Sequence, residues 1–187
     1  MSEDMTICDV LVIGAGPGGG NAALQCARLG LDTIIVEDHD EIGTPVHCGE
    51  CISDLACQNL GLKLPEHVIS KSVKGIRVIF PDGTEKCLSE EGYVLEKHLF
   101  EQWIAESAVS KGARLCLSHK ITGMQKAFEG KKFSGWLCEG KGDLFPIQAK
   151  IVIDASGVSS VCSRLLDLNP RGKAVSYTHL TLPTKQD

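Results

Sequence analysis

Three glycines near the amino terminus, Gly14, Gly16 and Gly19, have the G-x-G-x-x-G spacing of a nucleotide-binding loop. In such a loop the first glycine permits a tight turn, the second lets the backbone approach a ligand, and the third lets the following helix pack closely on the preceding strand. The first N–H groups of that helix have no partners within the helix and lie at the positive end of its dipole. The pattern therefore predicts a seat for a diphosphate.

Glu37 lies at the end of the next apolar segment, where a dinucleotide site carries its acidic residue. Its carboxylate can accept hydrogen bonds from both hydroxyls of an adenosine ribose, and it repels a 2′-phosphate. The site is therefore predicted to prefer FAD or NAD over NADP. Two alternatives stay open: the glycines form only a structural turn, or Glu37 is a solvated strand end.

The elements around the glycines follow in the order that this chemistry requires. Residues 9–13 form a continuous apolar run, which is typical of a parallel strand buried on both faces. Residues 21–29 predict a helix that Gly30 ends, and residues 33–37 predict a second buried strand. Strand, glycine turn, helix, strand and acid together are a far more specific signal than the glycines alone.

The remainder of the chain predicts a larger α/β domain. An amphipathic helix is expected over residues 96–111, and residues 114–117 predict a third parallel strand. Shorter patterns predict a helix near residues 53–60, a hairpin of residues 75–81 and 84–88, a meander near residues 121–128, 133–139 and 143–148, and a last strand at residues 150–154. The expected fold class is α/β, a Rossmann-like FAD/NAD(P)-binding fold with a parallel sheet and an antiparallel β-meander, incomplete at the carboxyl terminus.

Composition argues against several other functions. The 19 Lys and Arg residues against 24 Asp and Glu give a net charge of −5, which is unfavourable for binding nucleic acid. The first residues lack the basic and apolar parts of a signal peptide, so the nine cysteines are expected to be reduced thiols in the cytoplasm. Only Cys48 and Cys51 form a C-x-x-C pair, and without a second pair no metal site is expected.

Three segments resemble the geranylgeranyl reductase family of FAD-dependent enzymes. Residues 44–53, TPVHCGECIS, resemble the family's iG-x-P-x-x-C-a-E-G-i-S segment. Residues 93–103, YVLEKHLFEQW, resemble its Y-x-l-x-R-x-x-F-D-x-x-L helix start, and residues 151–160, IVIDASGVSS, resemble its vi-x-A-D-G-x-x-S segment. The last two segments are shared with flavin hydroxylases, so only the segment around Cys48 points specifically to the reductases.

The resemblance implies FAD contacts from several parts of the chain: Gly18, Glu37, Cys48, Gly49, Cys51, Lys97, Ile121 and Gly157, in addition to the glycines of the loop. Three positions depart from the family pattern. Cys51 stands where the family usually has Gly, Lys97 where it usually has Arg, and Ser156 where it often has Asp. The change to Lys97 exchanges a planar fork for a point charge. No catalytic residue is assigned, and Cys48 and Cys51 are expected to pack beside the flavin, with a disulfide cycle as the alternative.

The resemblance also implies an activity. In this family a reduced flavin delivers hydride to the C=C bonds of a polyprenyl chain. The expected substrate is therefore an isoprenoid lipid, the expected electron donor is NAD(P)H or ferredoxin, and a lipid substrate allows a cytoplasmic protein to associate peripherally with a membrane. The alternatives are an FAD-dependent monooxygenase or halogenase of the same fold, and a truncated flavin-binding fragment without activity.

One truncated domain and a foreign tail are expected. Residues 1–174 are predicted to be the N-terminal portion of the FAD-binding domain of a longer enzyme. Residues 175–187 resemble a translated adapter sequence and predict a non-native tail. The alternative is an ordinary strand that continues the domain.

Overall fold

The computed structural model describes residues 5–46 and 48–168. Its strands are β1 (Thr6–Ile13), β2 (Thr33–Val36), β3 (Cys51–Ser53), β4 (Ile69–Val73), β5 (Ile76–Ile79), β6 (Glu85–Leu88), β7 (Gly92–Leu95), β8 (Arg114–Cys116), β9 (Lys120–Glu129), β10 (Lys132–Lys141) and β11 (Ile147–Asp154). Its helices are α1 (Pro17–Arg28), α2 (Asp54–Leu60), α3 (Lys97–Val109) and α4 (Val161–Leu165), with 3₁₀ turns at Glu66–Val68 and Gly157–Ser159.

A six-stranded sheet in the order β8-β2-β1-β11-β10-β9 forms the centre of the fold. The first four of these strands are parallel, and β10 and β9 continue the sheet in antiparallel pairing. The central strands are buried on both faces: Val12 and Ile35 pack with the alanines of α1 and α3, whereas Leu11 and Ile34 face the opposite core. The predicted α/β class, with a parallel sheet joined to antiparallel strands, is confirmed.

The predicted bounds of the third meander strand are wrong. Residues 143–148 and 150–154 were expected to form two strands, but residues 147–154 form the single strand β11. Polar Gln148 and Lys150 alternate with apolar neighbours, which is the period of one strand rather than a break between two. Residues 147–149 of this strand pair with β10 on one side, and the strand pairs along its length with β1 on the other. The meander is therefore continuous with the parallel sheet.

Two smaller sheets lie outside the main one. The predicted hairpin is confirmed as β5 and β6, and the predicted short helix is α2, which begins after Ser53 because the Ser53 hydroxyl accepts a hydrogen bond from the N–H of Ala56 at 3.1 Å. The sheet β3-β7-β4 was not predicted. Among the described residues, no helix combines the length and the apolar composition needed to cross a membrane. The predicted non-native tail, residues 175–187, lies outside the described residues.

Strand β11 offers a test of this core with its own control. Ile147→Ala is expected to lower the free energy of unfolding by about 2–5 kcal/mol, because the Ile147 side chain is fully buried. Ile151→Ala, on the same strand, should change it by no more than about 0.5 kcal/mol, because that side chain is 55% exposed. Urea denaturation of both variants measures the difference, and equal losses would contradict the burial of β11 described here.

Candidate functional site

A cavity of about 900 Å³ lies where three parallel strands end. Ile13, Val36 and Asp154 line it, and they are the last residues of β1, β2 and β11. In open α/β sheets, ligands bind outside the carboxyl ends of the strands. The position of the cavity therefore matches that of a cofactor site.

The glycine loop forms one wall of the cavity, and its glycines have different roles. Gly14 has a φ of +97°, and a Cβ on it would lie 2.7 Å from the carbonyl oxygen of Ala155. A Cβ on Gly19 would overlap the carbonyl oxygen of Gly14. By contrast, among the described residues beyond the chain neighbours and the helix's own backbone, no atom lies within 4 Å of a Cβ built on Gly16 or Gly18, and both glycines line the cavity. Gly14 and Gly19 hold the loop closed, whereas Gly16 and Gly18 leave space for a ligand.

Helix α1 presents free N–H groups at this wall. Gly16 is its N-cap residue and offers no side chain, the first turn carries no acidic residue, and the first helical hydrogen bond runs from the N–H of Gly20 to the carbonyl oxygen of Gly16 at 2.8 Å. The N–H groups of Gly18 and Gly19 therefore have no partner within the helix. They lie at the positive end of the helix dipole, where an anion is stabilised.

Glu37 lies beside the N-terminus of α1, at the start of the connection between β2 and β3. Its Oε2 accepts a hydrogen bond from the N–H of Ala15 at 2.8 Å, so the carboxylate lies directly against the glycine loop. Its Oε1 accepts a hydrogen bond from the N–H of His39 at 3.1 Å and lies 2.6 Å from His39 Nδ1. The side chain is only 12% exposed but lines the cavity. The carboxylate therefore lies beside the glycine loop in a fixed position, at the wall of the cavity.

Helix α3 supplies a cation to the cavity from the other side. Lys97, the first residue of α3, lines the cavity and forms an ion pair with Glu101, whose side chain is buried. A buried carboxylate needs a charged partner, because an isolated charge is strongly unfavourable away from water. Lys97 and Glu101 therefore balance each other's charge, and both line the cavity.

The turn after β11 completes the cavity wall. Asp154 accepts hydrogen bonds from the N–H of Ser156 at 3.1 Å and from the N–H of Cys162 at 2.7 Å. Although partial burial alone would raise the pKa of Asp154, the hydrogen bonds from Ser156 and Cys162 together hold it below its usual value. The Ser156 hydroxyl donates to Asp154 and accepts from the N–H of Val161 at 2.9 Å. Ser156, at the position where the family often has Asp, thus helps to fix the turn that carries Gly157.

Most of the predicted site residues lie together. Eight of the predicted site residues line this cavity: Gly14, Gly16, Gly18, Glu37, Cys48, Lys97, Ile121 and Gly157. Three others do not line it. Gly19 is buried under the loop, and Gly49 and Cys51 are exposed, with Cys51 opposite Val94 in the small sheet.

Several cavity residues were not predicted. Asp154 could have been found from the sequence, because it ends an apolar strand that lies parallel to β1, and such ends converge at one edge of a sheet. His39 and Lys120 had no comparable signal. His39 reaches Glu37 through a local turn, and Lys120 Nζ donates to Asp38 Oδ2 at 3.1 Å across 82 residues of sequence.

Comparison with known proteins places the chain among flavoenzymes. A family model described as FAD dependent oxidoreductase matches residues 9–164. Digeranylgeranylglycerophospholipid reductase 1 of Methanothermobacter thermautotrophicus is 36% identical over 88% of this chain and 43% of its own length. Digeranylgeranylglycerophospholipid reductase of Methanothrix thermoacetophila is 37% identical over 84% of this chain and 41% of its own length. The chain therefore spans less than half the length of these relatives, and the resemblance to geranylgeranyl reductases is confirmed.

Solved structures agree on the fold. A geranylgeranyl bacteriochlorophyll reductase-like protein of Thermoplasma acidophilum superposes with a TM-score of 0.75 and 34% identity, over 87% of this chain and 42% of that one. A flavin-dependent brominase superposes with a TM-score of 0.69 and 24% identity, over 86% of this chain and 40% of that one. The second likeness concerns the fold alone.

The cavity fits the FAD that this family uses. Its volume lies within the roughly 300–1,000 Å³ of cofactor and small-molecule pockets. Free N–H groups beside an open space at Gly16 suit a diphosphate, and a fixed carboxylate one loop away suits a ribose. The ammonium group of Lys97, paired with Glu101, lies at the same cavity.

The two roles of the glycines can be separated by substitution. Gly16→Val is expected to abolish FAD binding and leave the thermal unfolding temperature nearly unchanged, because the new side chain enters open cavity space. Gly19→Ala is expected to lower both, because its Cβ would overlap the backbone of Gly14. Flavin fluorescence titration and thermal unfolding measure the two effects. A Gly16→Val protein that still binds FAD would show that the diphosphate lies elsewhere.

Proposed function

The chain belongs to the family of FAD dependent oxidoreductases, and we propose that it is the cofactor-binding portion of a reductase that saturates C=C bonds in isoprenoid lipid chains. The observation that carries this proposal is the similarity to reductases named for digeranylgeranylglycerophospholipid, combined with Cys48 at the cavity wall. The segment around Cys48 is the one that distinguishes geranylgeranyl reductases from flavin hydroxylases of the same fold. The monooxygenase and halogenase alternatives have no comparable support.

Each part of the cofactor has residues suited to hold it. The N–H groups of Gly18 and Gly19 would bind the diphosphate, and Glu37 would accept hydrogen bonds from the ribose of the adenosine. Ile121, the second residue of β9, would offer its backbone to the adenine. Lys97 would contribute charge, and Gly157 and Cys48 would border the remaining length of the cofactor.

The residues of this chain would position the cofactor, and the cofactor would perform the chemistry. When bound and reduced, FAD would supply a hydride to one carbon of a double bond, and a proton would have to reach the other carbon. Glu37 is held by Ala15 and His39, and Asp154 is held by Ser156 and Cys162, so both carboxylates keep fixed directions at the cavity wall. Polar groups held in fixed directions in this way help to orient a cofactor.

The lipid chain is proposed to bind outside this cavity. A polyprenyl chain needs long apolar walls. The described cavity instead carries several charged side chains on its wall, among them Glu37, Lys97 and Asp154. Residues of the longer enzyme beyond this part would therefore hold the substrate, with NAD(P)H or ferredoxin as the electron donor and peripheral contact with the membrane that contains the lipid.

A chimera tests the proposed function. Residues 5–168 would replace the matching portion of the Methanothermobacter reductase, and the purified chimera would be assayed with reduced FAD and digeranylgeranylglycerol phospholipid. Mass spectrometry should show the lipid gaining a pair of hydrogen atoms for each double bond. The same chimera with Gly16→Val is the control and should be inactive.

Two outcomes would contradict the proposal. A chimera that binds FAD but leaves the lipid unchanged would exclude this reductase activity. Oxygen consumption coupled to a hydroxylated or halogenated product would support the monooxygenase or halogenase alternative. Parallel assays with NADPH and with reduced ferredoxin would identify the donor.

A further inference from the structure

His39 lies against the carboxylate that the proposed function assigns to the ribose. Its Nδ1 is 2.6 Å from Glu37 Oε1, and its backbone N–H donates to the same oxygen at 3.1 Å. Because an ionised carboxylate only accepts hydrogen bonds, Nδ1 carries the proton in this contact. The His39 side chain is 56% exposed, so the ring lies at the surface of the cavity that it lines.

The contacts leave Glu37 little capacity for a ligand. A carboxylate offers about four acceptor positions, two on each oxygen. The backbone N–H and the ring of His39 use both positions on Oε1, and the N–H of Ala15 uses one on Oε2. A ribose has two neighbouring hydroxyls that both require an acceptor, and a single position is left.

We propose that the His39 ring competes with the ribose of the cofactor for Glu37, and that His39 thereby lowers the affinity for FAD and makes it depend on pH. The inference rests on the proposed function, which puts the ribose at Glu37. On binding, either one ribose hydroxyl goes without its acceptor, or the ring must leave Oε1. Both cost binding free energy, since a hydrogen bond to a charged group is lost in either case.

The charges around His39 strengthen this competition at low pH. The hydrogen bond to Glu37 raises the pKa of His39, partial burial opposes this, and Asp38, Glu37 and Asp40 raise it further. Asp38 Oδ1 is 3.2 Å from the ring, and Lys120, from β9, pairs with the other oxygen of Asp38. The turn before β9 also packs here, with the N–H of Ser118 donating to His39 and His119 directed towards Asp143.

The sign of the pH dependence follows from these contacts. Below the pKa of His39 the ring is a cation and pairs with Glu37 most strongly, so a ribose is held least well. As pH rises through that raised pKa, the ring loses its charge and the competition weakens. FAD affinity should therefore increase with pH over this interval.

His39→Ala tests the inference, because it removes the ring and keeps the backbone N–H. Titration of the chain with FAD from about pH 6 to pH 9 covers the range in which histidine changes charge. The variant is expected to bind FAD roughly three- to tenfold more tightly at the acid end, the scale of one hydrogen bond, and to lose most of the pH dependence. Its unfolding temperature should stay close to that of the unmodified chain. His67→Ala, which removes an exposed histidine that does not line the cavity, is the matched control and should change neither property.

Glu37→Gln separates this inference from the proposed function. Weaker FAD binding by Glu37→Gln together with tighter binding by His39→Ala supports both. If Glu37→Gln weakens binding and His39→Ala does not tighten it, the competition is overturned and the ribose position stands. Unchanged affinity in Glu37→Gln, or no FAD binding by the unmodified chain, overturns the ribose position and the competition together.

Discussion

The free N–H groups at the start of α1 are the feature on which the rest of the site depends. Gly18 lines the cavity, and the N–H groups are free because Pro17 begins the helix, Gly16 adds no capping side chain, and Gly19 lets the helix start directly beneath the strand end. An uncapped helix start is unfavourable unless water or a ligand satisfies it. The ends of β1, β2 and β11 meet around this point, so the carboxylates of Glu37 and Asp154 lie near the same opening.

The parts of the site that the sequence predicted are those set by local patterns. Strand β1, the glycine loop, helix α1 and Glu37 are close in sequence, and apolar periodicity and glycine spacing locate all four. The FAD contacts predicted at Lys97, Ile121 and Gly157 were implied by the family resemblance. These residues are distant in sequence, and the sheet topology brings them to the same cavity.

The remainder depended on tertiary pairing. Strands β4 and β7 have only five and four residues, and they pair with each other in a small sheet outside the main one. Apolar periodicity over so few residues could not identify them. Apolar runs predict two strands in place of β11, and the parallel pairing with β1 along its whole length shows that it is one. The contact between His39 and Glu37 is fixed by side-chain rotamers in a turn, which no sequence pattern encodes.

Fold and chemistry are separate questions for this chain. A brominase and a reductase-like protein both superpose on it, so the architecture alone is compatible with several flavin reactions. Two observations favour a reductase among these flavin reactions: the segment around Cys48 and the similarity to reductases over most of this chain. The cavity described here is proposed to bind the cofactor, which these reactions share. A reductase would differ from a halogenase in what surrounds the reactive part of the flavin.

The central claim is that the first N–H groups of α1 bind the diphosphate of FAD. Nuclear magnetic resonance of the ¹⁵N-labelled chain tests it at single amides. On addition of FAD, the amide signals of Gly18 and Gly19 should shift strongly, and their hydrogen exchange should slow. If FAD binds while these amides keep their shifts and exchange rates, the diphosphate is bound elsewhere and the account is wrong.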